Sequence, residues 1–325
     1  MSYLLEKRMA IEAATRAAQL CLAVQAALVN VDSLEKGDRS PVTIADFGAQ
    51  ALVCQHLTTH FPDDPIVGEE DSSQLQKPEN VVKLNQVTQY VRTYLPEATS
   101  QDVCHWIDSG NGTVADRFWT LDPIDGTKGF LRNEQYAVAL ALIEEGQVKV
   151  AALVCPGLAL NDQPNRKIGV VFAAVHGQGA SMAAMGDADF RPIQVADASD
   201  PERMRFVESV EAAHGDHSQQ QFIAQKAGIT RPSLQMDSQA KYGAVARGDA
   251  ALYLRLPSPK SPDYREKIWD HAAGSLVVEE AGGRVTDMLG QRLDFASAYK
   301  MNHNRGVVVS NGTIHDAVLE ALNEA

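Results

Sequence analysis

The stretch Trp119-Thr-Leu-Asp122-Pro123-Ile124-Asp125-Gly126-Thr127-Lys-Gly-Phe130 decides how this chain is read. Phe118 to Leu121 is a short apolar run that predicts a strand. Behind it come an acid, a proline turn, a second acid and Gly-Thr. A strand that ends at Asp122 and turns sharply can aim both carboxylates and the Ile124 carbonyl at one point. Gly126 permits close backbone approach, and Thr127 can open a helix whose first N–H groups favour a phosphate. Hard divalent cations such as Mg²⁺ take oxygen ligands of this kind. A single Asp-Gly is ordinarily a solvated acid or a cap, so the order of the whole segment is what carries the reading.

Working outward, three further acids lie at strand or helix ends beside small or turn-forming residues: Asp46, Glu69 and Asp270. Spacing alone does not bring them together. The chain has 325 residues, 45% hydrophobic and 22% charged, with a net charge of -13. That is an ordinary globular composition, long enough for a sizeable core. No block of Lys/Arg occurs, which argues against a nucleic-acid polymer or an anionic membrane as partner. Cys21, Cys54, Cys104 and Cys155 are scattered and sit mostly among apolar residues, as expected for buried reduced thiols of a cytoplasmic protein. The N-terminus reads as an amphipathic helix, and the longest apolar stretch, from Ala137 to Val154, is too interrupted to span a bilayer. Asn111-Gly-Thr and Asn311-Gly-Thr read as chance loop sequences.

Hydrophobic periodicity predicts helices over 4–30 and 44–60 separated by a loop at Glu35–Pro41. A short strand follows at Ile66-Val67, then one helix at 80–95 in an otherwise loop-rich region over 72–115. Tyr136–Ile143 and Val148–Val154 read as a hairpin, and Ile168–Val175 as another strand ending in the Gly177/Gly179 turn. Beyond Asp197 the pattern alternates. Strands are expected at Phe206–Ser209, Ala250–Leu256 and Val307–Ser310, and helices at Ser218–Ala227, Ala240–Arg247, 269–281 and 313–323. The expectation is an N-terminal α+β domain over 1–197 with an antiparallel sheet and most of the acids, then a C-terminal α/β domain over 198–325.

The quoted segment resembles the central motif of the lithium-sensitive inositol monophosphatase superfamily. Val67-Gly-Glu-Glu-Asp71 resembles its upstream metal motif, and Ile268-Trp-Asp-His-Ala-Ala-Gly274 with Glu280-Ala-Gly-Gly283 its C-terminal one. Ser40–Asp46, Asp237–Tyr242, Tyr253–Pro257 and Ser209–His217 are similar to the branch acting on 3'(2'),5'-bisphosphate nucleotides. The resemblance covers essentially the whole chain. It implies a layered α-β-α-β-α sandwich, two or three Mg²⁺ ions, inhibition by Li⁺ and a monomer.

The resemblance also implies roles. Glu69, Asp122 and the Ile124 carbonyl would bind a first ion, and Asp122, Asp125 and Asp270 a second. Asp46, with Glu69, would help hold a third ion or its water, and would orient the Thr127 hydroxyl toward an attacking water. Gly126 and Thr127 N–H groups would hold the scissile phosphate. His214, Ser238, Lys241 and Arg255 would contact a small nucleotide bisphosphate, mainly at its 5'-phosphate and adenosine. The implied reaction is metal-assisted in-line hydrolysis of the 3'-phosphate of 3'-phosphoadenosine 5'-phosphate, and of 3'-phosphoadenosine 5'-phosphosulfate. Taken alone, Lys241 and Arg255 read as solvated charges, and His214 with His217 as a pair lacking a third metal ligand. His271 reads as packing beside Asp270, and Trp119 and Trp269 as core. The rival readings are an inositol phosphate or sugar bisphosphate phosphatase and a non-catalytic cation or nucleotide sensor.

Overall fold

The computed structural model of the chain describes residues 2–29, 40–160, 169–210, 217–258, 261 and 263–324. His214 lies outside the described residues, as does the expected loop up to residue 39; Ser40 and Pro41 already belong to the second helix. That helix, α2 (Ser40–His60), packs along α1 (Leu4–Val29). Alanines 10, 13, 14, 17 and 18 of α1 are buried there, and their small size allows close approach.

After α2 comes β1 (Ile66–Gly68), then α3 (Val81–Arg92) and α4 (Ser100–Asp108). The sequence predicts only one helix in this region. The second is set by a capping box, in which the Thr99 hydroxyl accepts the Asp102 N–H and the Asp102 carboxylate accepts the Thr99 N–H. The chain continues through β2 (Arg117–Asp125), the one-turn helix α5 (Thr127–Leu131), β3 (Ala137–Glu144), β4 (Gln147–Cys155), β5 (Val170–Val175), β6 (Ala180–Ala184) and β7 (Arg191–Pro192). β1 to β7 form one sheet in chain order, antiparallel throughout except for the parallel pair β1 and β2.

The remainder supplies β8 (Phe206–Glu208), α6 (His217–Lys226), β9 (Leu234–Gln235), α7 (Ala240–Ala246), β10 (Leu252–Arg255), α8 (Ala272–Glu280), β11 (Arg284–Thr286), β12 (Val307–Ser310) and α9 (His315–Glu324). Its sheet runs β11-β12-β10-β8-β9, parallel across β10, β8 and β9. The single helix expected over 269–281 is broken. A 3₁₀ turn at Ile268–Asp270 ends at His271, whose φ of -136° leaves the helical region before α8 begins.

Three apolar clusters separate five layers. On β3, Val138, Leu140 and Leu142 face α1 and α2, while Ala137, Ala139, Ala141 and Ile143 face α7 and α8. Both sides of the strand are buried, so its sequence is an unbroken apolar run. The second sheet covers the other side of α7 and α8, and its outer face packs on α6 and α9. This is the expected α-β-α-β-α sandwich. Residues 272–278 of α8 are buried all round, as a middle layer requires. Gly274 lets α7 and α8 touch, since a Cβ there would lie 2.4 Å from the Tyr242 ring.

Candidate active site

The parallel register of β1 and β2 builds the first half of the site. Gly68 pairs with Leu121, so one step further sets Glu69 beside Asp122 at the same sheet edge. The β2–β3 register then slips, from Asp122 opposite Ala139 to Asp125 opposite Ala137. Three residues of β2 are matched by two of β3, a bulge at Pro123 and Ile124 that suits proline's missing N–H. It takes Pro123 and Ile124 out of the ladder and brings Asp125 into the site.

Gly126 follows with φ +90°, where a Cβ would lie 2.8 Å from the Ser238 Cβ. Glycine is therefore required both for conformation and for contact. Ser238 is itself left-handed at φ +64°, a strain of about 1 kcal/mol or more for a residue with a Cβ. Its Oγ accepts the Ala240 N–H at 3.1 Å, which secures the entry to α7. Thr127 opens α5, whose far end is held by the Gln25 amide on the Phe130 carbonyl at 2.7 Å.

Two buried glutamines that the sequence reading passed over complete the assembly. Gln50, one turn beyond Asp46 on α2, accepts the Glu70 N–H at 3.1 Å and donates to the Glu70 and Ile107 carbonyls. It fixes the Glu69–Glu70 segment against α2, and with it the approach of Asp46. Gln239 donates to the Trp269 carbonyl at 2.9 Å and accepts the Gly274 N–H at 3.1 Å, while its own N–H binds an Asp125 oxygen. One residue thereby ties Asp125, through its N–H, to the segment that carries Asp270, through its side chain. The signal for Gln50 was a fully buried polar residue inside an otherwise apolar helix. Gln239 had no such signal.

The carboxylates repel one another. Asp122 is buried and its pKa stands well above the ordinary value, through burial and then the charges of Glu69, Asp125, Asp270 and Asp46. Its Oδ1 has no hydrogen-bonding partner. Burial raises Glu69 to about 7, helped by Glu70 and opposed by a hydrogen bond with Asp122; its side chain still reaches solvent at the rim. Burial likewise raises Asp270 to about 7, with Asp125, Glu266 and Glu69 adding to it against His271. Asp46 is raised by burial and by Glu70 and Glu69, and Asp125 by burial against the pull of Lys241. A hard divalent cation fits this set, because its side chains are all carboxylates and the buried Asp122 Oδ1 lacks a partner.

A cavity of about 300 Å³ opens on these acids. Asp125, Gly126, Thr127 and Asp270 line it together with Ser238, Lys241 and Arg255. Lys241 is buried with its Nζ 5.1 Å over the Tyr253 ring, and burial lowers its pKa to about 8 against the pull of Asp125. The cavity also exposes Tyr264 and Glu266, which the sequence reading did not single out. Asp46, Glu69, Asp122 and Ile124 are not among its lining residues. His271 is buried, with Nδ1 bonded to the Tyr242 hydroxyl at 2.7 Å. Trp119 is core, and Trp269 stacks on Tyr299. All four cysteines are buried and unlinked. Asn311 is also buried, its amide donating to the Ala196 carbonyl, so it is a structural residue rather than a loop tip. Among the described residues no helix is long and apolar enough to cross a membrane.

Fold and site together define a phosphatase-like acidic centre, and the chain belongs to the inositol monophosphatase family, whose match spans residues 6–325. Within it, the chain is 43% identical to a 3'(2'),5'-bisphosphate nucleotidase of Schizosaccharomyces pombe, over 99% of this chain and 96% of the relative. It is 42% identical to 3'(2'),5'-bisphosphate nucleotidase 1 of Arabidopsis thaliana, over 100% and 97%. Among solved structures, an Anabaena inositol monophosphatase shares the fold at a TM-score of 0.64 and 20% identity, covering 100% of this chain and 98% of its own.

Proposed function

We propose that this chain is a Mg²⁺-dependent 3'(2'),5'-bisphosphate nucleotidase, removing the 3'-phosphate of 3'-phosphoadenosine 5'-phosphate to give AMP, and acting likewise on 3'-phosphoadenosine 5'-phosphosulfate. One observation carries the reading. A single cavity is lined both by two acids of the repelling set, Asp125 and Asp270, and by two cations, Lys241 and Arg255. A monoester with one phosphate needs only the acidic side and its ions. A second phosphate gives Lys241 and Arg255 a partner. The names of the relatives agree with a substrate bearing two phosphates.

In this reading Glu69, Asp122 and the Ile124 carbonyl would hold one ion, Asp122, Asp125 and Asp270 a second, and Asp46 with Glu69 would help hold a third. Bound Mg²⁺ supplies a lowered water pKa, from about 16 toward about 7, and neutralises charge on the phosphate. The Thr127 hydroxyl, oriented by Asp46, would take the attacking water's proton as its own proton passes to the Asp46 carboxylate. Gly126 and Thr127 N–H groups orient the scissile phosphate. Ser238, Lys241, Arg255 and His214 read the rest of the nucleotide. The Lys241 ammonium, lowered by burial, regains full charge beside a phosphate.

The test is phosphate release with Mg²⁺ from 3'-phosphoadenosine 5'-phosphate, 3'-phosphoadenosine 5'-phosphosulfate and inositol 1-phosphate. Faster release from the inositol ester overturns the substrate assignment. No release from any of the three favours a nucleotide sensor.

A further inference from the structure

Among the described residues, one trio of metal-type side chains brings its ligand atoms within 4.8 Å of one another: Glu266, Asp270 and His271. Asp270 belongs to the acidic centre. Glu266 does not behave as its neighbour does, because its carboxylate already faces a cation. Arg255 Nε donates to Oε1 at 3.0 Å, and His271 Nε2 stands 3.5 Å from Oε2. His271 is anchored on its other side by the Tyr242 hydroxyl at 2.7 Å. A carboxylate engaged in this way is a clamp for its partners rather than an open seat for a cation.

The geometry points to Glu266 as the positioning residue for Arg255, and through it as a determinant of selectivity for a second phosphate. Arg255 ends β10, at the cavity wall, and its side chain is 21% exposed. An arginine left to itself there samples many rotamers, and ordering it opposes binding. A carboxylate on the Nε edge fixes the plane of the guanidinium before the anion arrives, so less freedom is lost when a phosphate binds. Glu266 itself is held by its segment. The Met301 N–H donates to its carbonyl, and Lys267 pairs with Lys300 in an isolated bridge. The Lys267 N–H also binds Asp270 at 3.2 Å, so the same short segment carries the clamp and an acid of the metal centre. This inference rests on the proposed function, which supplies the second phosphate.

The experiment is Glu266→Gln in the full chain with Mg²⁺, assayed on 3'-phosphoadenosine 5'-phosphate and on adenosine 3'-phosphate, which lacks the 5'-group. Expected is a KM for the bisphosphate raised about tenfold or more, with kcat and the KM for the monophosphate changed by less than about threefold. The Mg²⁺ concentration for half-maximal rate stays where it was. In an Arg255→Met background the same change adds nothing, because its route of action is gone. Calorimetric binding of AMP weakens by the same factor as the KM, a readout that does not need turnover. A raised Mg²⁺ requirement, an equal loss on both substrates, or additive effects with Arg255→Met overturns the inference. Wild-type protein that neither cleaves the bisphosphate nor binds AMP overturns the proposed function and this inference with it. Wild type that prefers the bisphosphate while Glu266→Gln is indifferent overturns the inference alone.

Discussion

The two ends of β2 treat carboxylates in opposite ways. At its start, Arg117 gathers three of them: Asp64 at 3.0 Å, Glu6 at 3.2 Å and Glu144 at 3.8 Å. Trp119 Nε1 donates to Asp64 at 3.1 Å, and the Tyr3 hydroxyl donates to Glu144. Five and eight residues along the same strand, Asp122 and Asp125 meet Glu69, Asp270 and Asp46; Lys241 and Arg255 pull on Asp125, but every charge that acts on Asp122 is another acid. The first cluster is closed by the chain's own cation and serves the fold. The second is left open, and its charge balance awaits something from solution. What separates the two clusters here is that each acid at the first is bonded directly to an internal cation or its partners, whereas Asp122 at the second faces only other acids.

Removing one acid from the open end tests the contrast most severely. Asp122→Ala is expected to lower Mg²⁺-dependent phosphate release by about a thousandfold or more, about 4 kcal/mol of activation free energy. Its melting temperature in EDTA should not fall, because a repelling charge has been deleted. A destabilised Asp122→Ala protein would mean that the open cluster is structural after all. At the closed end the expectation reverses. Arg117→Ala strands the three acids and should cost about 2 kcal/mol of stability by denaturant titration, while kcat stays at the wild-type level. Unchanged stability there would erase the distinction between the two ends.

The smallest expected effect is on pH dependence. Glu69 and Asp270 are raised from ordinary values of 4.5 and 3.8 to about 7. A raised carboxyl pKa means that the folded chain binds the proton more tightly than the unfolded chain does. Stability from this source is therefore fully present below about pH 4 and is lost as pH rises through about 7. In EDTA the melting temperature should fall between about pH 4 and about pH 7, and Mg²⁺ should flatten that fall by replacing the protons. Superimposable profiles with and without Mg²⁺ would show that no cation enters the cluster.

Much of this was legible in the sequence, and the limits have physical causes. The strands of the first sheet are apolar on both faces, so β3 and β4 announced themselves within a residue or two. Helix α4 was hidden because its start depends on a hydrogen-bonded box at Thr99 and Asp102 more than on a long apolar period. The break at His271 was hidden because 269–281 has the composition of one continuous helix. That break lets Asp270 cap its own 3₁₀ turn and face the cavity instead of continuing along α8.

By itself the sequence determined where the candidate acids stand along the chain, because a bulge at Pro-Ile, a left-handed glycine and acids at strand ends are local demands that few other residues meet. Only the tertiary structure decided which charges meet. The parallel pairing of β1 with β2 put Glu69 beside Asp122, Gln50 and Gln239 locked two distant segments onto that pair, and Glu266 met Arg255 across eleven residues of chain. Coulomb energy depends on distance in space, and sequence separation says little about it until the sheet register is known.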